Sequence, residues 1–65
     1  MNNTLSEKQI KVLKYIVAYG SYKHVARQLN CAEQTVKNNI KAIREKLEVD
    51  TTLQAIYKAT KEGWI

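Results

Sequence analysis

Residues 33–43 read EQTVKNNIKAI. Most of these residues favour a helix, yet two asparagines stand together at its centre, where each costs up to about 0.7 kcal/mol relative to Ala. Carried on to Leu47 at 100° per residue, the segment places Val36, Ile40, Ile43 and Leu47 on one stripe about 60° wide. Roughly opposite lie Gln34, Lys37, Asn38, Lys41 and Glu45. The pattern predicts a helix from Ala32 or Glu33 to Leu47 with an anchored back and a polar outer face. Asn38 belongs to that face. Asn39 lies nearer the flank and needs a reason of its own.

Working outward, three further helices can be read from their ends. Ser6 is a good N-cap for the first, with Gln9 three residues on to complete a capping box and Leu5 and Ile10 spaced as a hydrophobic staple. Ile10, Leu13, Ile16 and Val17 then recur at helical spacing, and Gly20 is the natural stop because it tolerates a left-handed backbone. A short second helix is capped by Ser21 and turns Val25, Ala26 and Leu29 inward. The tight connection Leu29-Asn30-Cys31 follows, with Asn suited to a left-handed turn. The fourth helix starts near Thr51 or Thr52, where Thr51 and Gln54 form a second capping box, and ends at Gly63. It carries two apolar stripes: Ala55, Ile56 and Ala59 on one, Leu53, Tyr57 and Trp64 on the other. One helix of a small domain rarely needs both for its own core.

At 65 residues the chain allows one domain with a small core. It has no Pro, so helix is permitted almost throughout. The lone Cys31 precludes an internal disulfide and points to a reducing, cytoplasmic setting. No apolar run approaches the ~18 residues of a membrane span, and no signal peptide is visible in the polar start MNNTLSEK. The net charge is +5, and residues 23–46 hold six basic side chains against the acidic Glu33 and Glu45. A basic middle suggests an anionic partner, nucleic acid first; a merely solvated surface is the plainer reading of the same charge.

A long helix, a short one, a tight turn and a third helix with an outward polar face make an all-α, four-helix helix-turn-helix plan. Such a third helix fits the major groove, where base edges present a donor and acceptor code. Asn38 offers the paired donor and acceptor that match adenine. Lys37 and Lys41, one turn apart, reach guanine acceptors or flanking phosphates, and Gln34 stands on the same face. Tyr22, near the start of the second helix, either donates to a phosphate or packs on the surface. Arg44 and Lys46 read as backbone contacts or as plain solubility.

At these residues the chain resembles the LuxR/GerE-type DNA-binding domain of bacterial transcription regulators. The resemblance is carried by LSEKQIKVLKYI, SYKHVARQL, EQTVKNNIKAIREKLEV and the closing A…GWI, and runs from Leu5 to Ile65. It implies a four-helix domain binding double-stranded DNA as a homodimer, with the third helix in the major groove. It implies base contacts for Lys37, Asn38 and Lys41, a backbone contact for Thr35, and a phosphate near Lys23. The fourth helix would form the dimer contact, with Leu53, Tyr57 and Trp64 as its residues here. The chain departs from the family pattern at His24, where Glu is usual, at Ala32, where Ser is usual, at Lys8-Gln9 in place of Arg-Glu, and at Thr52, where Arg is frequent. Ala32 leaves the third helix with no capping side chain of its own unless Asn30 or Cys31 supplies one.

Residues 1–4 are expected to form a short polar arm and residues 5–65 the domain. With so little before the pattern, the expectation is a stand-alone regulator without a built-in sensor. The alternative is a protein-interaction module that binds and modulates a larger regulator through the fourth helix, for which aromatic side chains such as Tyr57 and Trp64 are favoured anchors; RNA polymerase is a further candidate partner. A sigma-factor-like promoter binder differs little at this level, and RNA binding lacks a visible stacking platform. Cys31 is expected to be a buried, inert thiol, and Tyr15 and Tyr19 to pack. With one His and one Cys there is no metal set and no cofactor is expected. No nucleophile has a matching base, so catalysis is not expected.

Overall fold

The structure, a computed structural model, describes residues 5–65; the polar arm expected at 1–4 lies outside them. Four helices follow one another: α1 (Glu7–Tyr19), α2 (Tyr22–Leu29), α3 (Glu33–Leu47) and α4 (Thr52–Lys61). No strand occurs among the described residues, and the all-α helix-turn-helix plan stands.

Helix starts follow the local chemistry. Ser6 Oγ accepts from the Gln9 amide at 3.2 Å while Gln9 Oε1 accepts from the Ser6 amide at 2.9 Å, a complete capping box. Thr51 and Gln54 repeat it at α4, with 3.1 Å in both directions. Ser21 caps α2 by accepting from the His24 amide. Only α3 starts without a side-chain cap: Ala32 has the extended cap backbone, φ −75° and ψ 149°, and no hydrogen bond from its side chain.

Helix ends share one device. After α2, α3 and α4 a pair of reversed amide bonds closes the last turn: Cys31 to Ala26 and Asn30 to Arg27, Val49 to Arg44 and Glu48 to Glu45, Trp64 to Ala59 and Gly63 to Thr60. This closure puts one residue in the left-handed region. Asn30 (φ 56°) and Gly63 (φ 81°) suit it; Glu48 (φ 58°) is neither Gly nor Asn and carries the strain of its Cβ. α4 ends at Lys61 and Glu62 caps it, its amide donating to the Lys58 carbonyl at 2.9 Å; the expected end, Gly63, is the reversing residue rather than the last helical one.

α3 packs on each of the other three helices. Its back supplies Val36, Ile40, Ile43 and Leu47, each at most 2% exposed, and Val12, Leu13, Val25, Ala55 and Ala59 close around them. Fully burying a side chain of this size contributes roughly 1.5–3 kcal/mol, so this stripe dominates the stability of a small domain. Two expectations are corrected here. Val17 is 56% exposed, and Val12 takes its inward place, because the buried face of α1 centres on Val12, Leu13 and Ile16, some 95° round the helix from Val17. Cys31 is exposed rather than buried: its amide is used in closing α2, and its side chain lies at the rim of a groove between α1 and α3. Tyr15 is half-buried against the core. Tyr19 remains 40% exposed, edge-on to Tyr15 at 5.6 Å and stacked on His24 at 4.6 Å.

Candidate nucleic-acid interface

With its back sunk in the core, α3 turns Gln34, Thr35, Lys37, Asn38 and Lys41 to solvent, all exposed. The adjacent asparagines separate as the helical angles require. Asn39 is half-buried, and its Nδ2 donates to the Thr35 carbonyl one turn back at 2.9 Å, which accounts for it inside the helix. Asn38 is fully outward. Its Oδ1 accepts from Gln34 Nε2 at 3.0 Å, and its own amide nitrogen stays available as a donor. The two side chains thereby form one oriented polar unit, flanked by Lys37 and Lys41 one turn apart, about 6 Å of rise.

The phosphate candidates have mixed surroundings. Lys23 is exposed at the start of α2, where Ser21 holds the first turn. Tyr22 is half-buried and its hydroxyl shares a 3.2 Å hydrogen bond with Thr52 Oγ1, tying α2 to α4. Arg44 is half-buried as well; its Nη1 donates to the Asp50 carbonyl at 3.0 Å and straps the α3–α4 connection, while its Nε is buried without a partner. Both side chains therefore have work inside the fold. Sequence reasoning missed Lys58, whose Nζ donates to the Leu47 carbonyl at 3.0 Å and places a cation at the negative end of α3. Nothing in the local pattern signals a bond between residues eleven apart.

On α4 the expected outer stripe divides. Leu53 and Tyr57, 76% and 68% exposed, form an apolar surface on the face away from the core. Trp64 does not join them in the open: beyond the left-handed Gly63 it folds back half-buried against the core. Among the described residues, no helix is long and apolar enough to cross a membrane.

Four helices, a tight left-handed turn before α3, and a polar, basic outer face on a helix anchored at its back define the class: a helix-turn-helix DNA-binding domain. The chain belongs to the luxR family of bacterial regulatory proteins, whose GerE model matches residues 3–59. It is 34% identical over 62 residues, 95% of the chain, to the transcriptional regulatory protein DesR of Bacillus subtilis, of which it covers 31%. Over 61 residues, 94% of the chain, it is 30% identical to the transcriptional regulatory protein DegU of Brevibacillus brevis, covering 26% of it. It is 42% identical over 55 residues, 85% of the chain, to the glycerol metabolism activator of Pseudomonas putida, covering 25% of that protein. The chain thus spans between a quarter and a third of the length of these relatives. No solved structure shows a significant match.

Proposed function

We propose that this domain regulates transcription by reading double-stranded DNA in the major groove with the outer face of α3, as a homodimer joined along α4. The observation that carries the reading is the Gln34–Asn38 pair between Lys37 and Lys41, held outward on a helix whose other side is buried. Asn38 is assigned to adenine, and Lys37 and Lys41 to guanine or adjoining phosphate; one well-matched pair of this kind discriminates by about 1–3 kcal/mol against the wrong base. Lys23 and Thr35 hold the backbone on either side, with Tyr22 and Arg44 contributing where their bonds within the fold leave them free. Leu53 and Tyr57 form the dimer seam, with Trp64 supporting it from behind.

The test is selection of bound duplexes from a random library, run in parallel on the wild type and on Lys37→Ala/Lys41→Ala. The expected result is an enriched two-fold symmetric motif that the double variant loses. A wild type that enriches nothing would sink the proposal. A second reading is favoured by the exposure of Leu53 and Tyr57: α4 docks on a larger regulator, and DNA is incidental. Under that reading Lys37→Ala/Lys41→Ala retains regulatory activity, and Leu53→Asp/Tyr57→Asp loses it without disturbing DNA binding by the monomer.

A further inference from the structure

α1 carries three lysines, Lys8, Lys11 and Lys14, against a single acidic residue, Glu7. They do not share a surface. Lys14 borders an apolar groove with Val17, Ile56 and Ile65. Lys8 and Lys11, three residues apart and so neighbours on the helix face, border a different groove of about 240 Å³ between α1 and α3. Thr35 and Asn39 of α3 form its opposite wall, and Cys31 lies beside them. Lys8 and Lys11 are both exposed, and the Lys11 ammonium stands 5.8 Å from the Tyr15 ring centroid.

The position of this groove around α3 gives it meaning. A helix seated in a major groove has a phosphate ridge on each side, because the groove is about as wide as the helix with its side chains. Lys37 and Arg44 lie on one flank of α3. Thr35 and Asn39 lie roughly 140–180° round from them, on the flank that faces α1. Along the groove, that flank of α3 offers only the neutral Thr35 and Asn39 to a phosphate; the exposed Lys46 lies at the same angle but about two turns further along the helix. The cations that line the groove come from α1.

We propose that Lys8 and Lys11 form a phosphate clamp with Thr35, taking the DNA backbone on the α1 side of the recognition helix while Lys23 and Arg44 serve elsewhere. The clamp rests on the DNA-binding reading above and adds α1 to the contact surface. It positions α3 and carries no base specificity, since lysines facing phosphate see the same charge at every sequence.

Two measurements on the intact chain test it. The first is the dependence of DNA affinity on salt for the wild type, Lys8→Ala/Lys11→Ala and Lys14→Ala. Each lost phosphate contact lowers the slope of log affinity against log salt by about 1. The Lys8/Lys11 variant is expected to lose about 2 units of slope and to weaken equally on every sequence, while Lys14→Ala keeps the wild-type slope. The second uses Cys31, the only thiol, as a reporter on the groove rim. Saturating cognate DNA is expected to slow its alkylation by a bulky maleimide. A wild-type slope in the Lys8/Lys11 variant, or a thiol that DNA leaves unprotected, overturns the clamp while DNA binding itself stands. A wild type that binds no DNA overturns both together.

Discussion

α1 and α4 begin with complete capping boxes, whereas α3, the helix assigned to the DNA, begins at Ala32 with none. The backbones at these starts are nearly alike: Ser6 has φ −72° and ψ 165°, Ala32 φ −75° and ψ 149°. The difference is therefore chemical. α1 and α4 are fixed by their ends as well as by their packing. α3 is fixed by its back, through Val36, Ile40, Ile43 and Leu47, and at its C-terminus by the Lys58 ammonium on the Leu47 carbonyl. A helix held this way keeps its geometry without spending its exposed residues on its own stability, which leaves the outer face to be chosen for what it touches.

The comparison breaks most sharply at Ile43. If packing holds α3, Ile43→Ala should cost about 2–5 kcal/mol by denaturant unfolding, through lost burial and the cavity left behind. Removing a capping box at α1 by Ser6→Ala should cost less, about 0.5–2 kcal/mol. A Ser6→Ala loss equal to that of Ile43→Ala would mean that end chemistry, not the buried stripe, governs this domain.

The next test runs in the opposite direction. Ala32→Ser should stabilise the domain by about 0.5–2 kcal/mol, because the cap backbone is already in place and only the acceptor is missing. The gain should fall toward the lower end: the third helical position is Thr35, which is too short to return the second bond of a box. An unchanged denaturation midpoint would show that another group already satisfies this end.

Much of this architecture is legible in the sequence, for a reason the same helices illustrate. Caps and reversals are short-range events, so Ser6 with Gln9, Thr51 with Gln54, Gly20 and Asn30 could each be read within a few residues. The buried stripe of α3 was equally plain, because four apolar residues recur without ambiguity. In α1 the apolar residues outnumber the places in the core, and spacing alone set Val17 inside instead of Val12. The long-range bonds left no local trace: Tyr22 to Thr52, Arg44 to Asp50 and Lys58 to Leu47 depend on how helices meet. Glu48 escaped for another reason, since a glutamate does not advertise a left-handed turn, and only the paired bonds around it reveal one. In the site, the outer face of α3 was readable from angles, while the groove it shares with Lys8 and Lys11 was not.

The smallest expected effect on stability separates the two asparagines. Asn38→Ala removes a hydrogen bond to Gln34 worth about 0.2–0.5 kcal/mol on a helix surface and gains up to about 0.7 kcal/mol of helix propensity. The two nearly cancel, so its unfolding midpoint should stay within a few tenths of a kcal/mol of the wild type. Asn39→Ala also gains propensity, and the bond it loses, to the Thr35 carbonyl, is one that helices do without. Thermal unfolding should thus find both variants near the wild type. Their DNA behaviour should diverge. Asn38→Ala is expected to relax preference at one base position by about 1–3 kcal/mol, and Asn39→Ala to leave the preferred sequence unchanged. Equal losses of specificity would show that the flank of α3 reads bases too, and that the division drawn between its outer face and its side is misplaced.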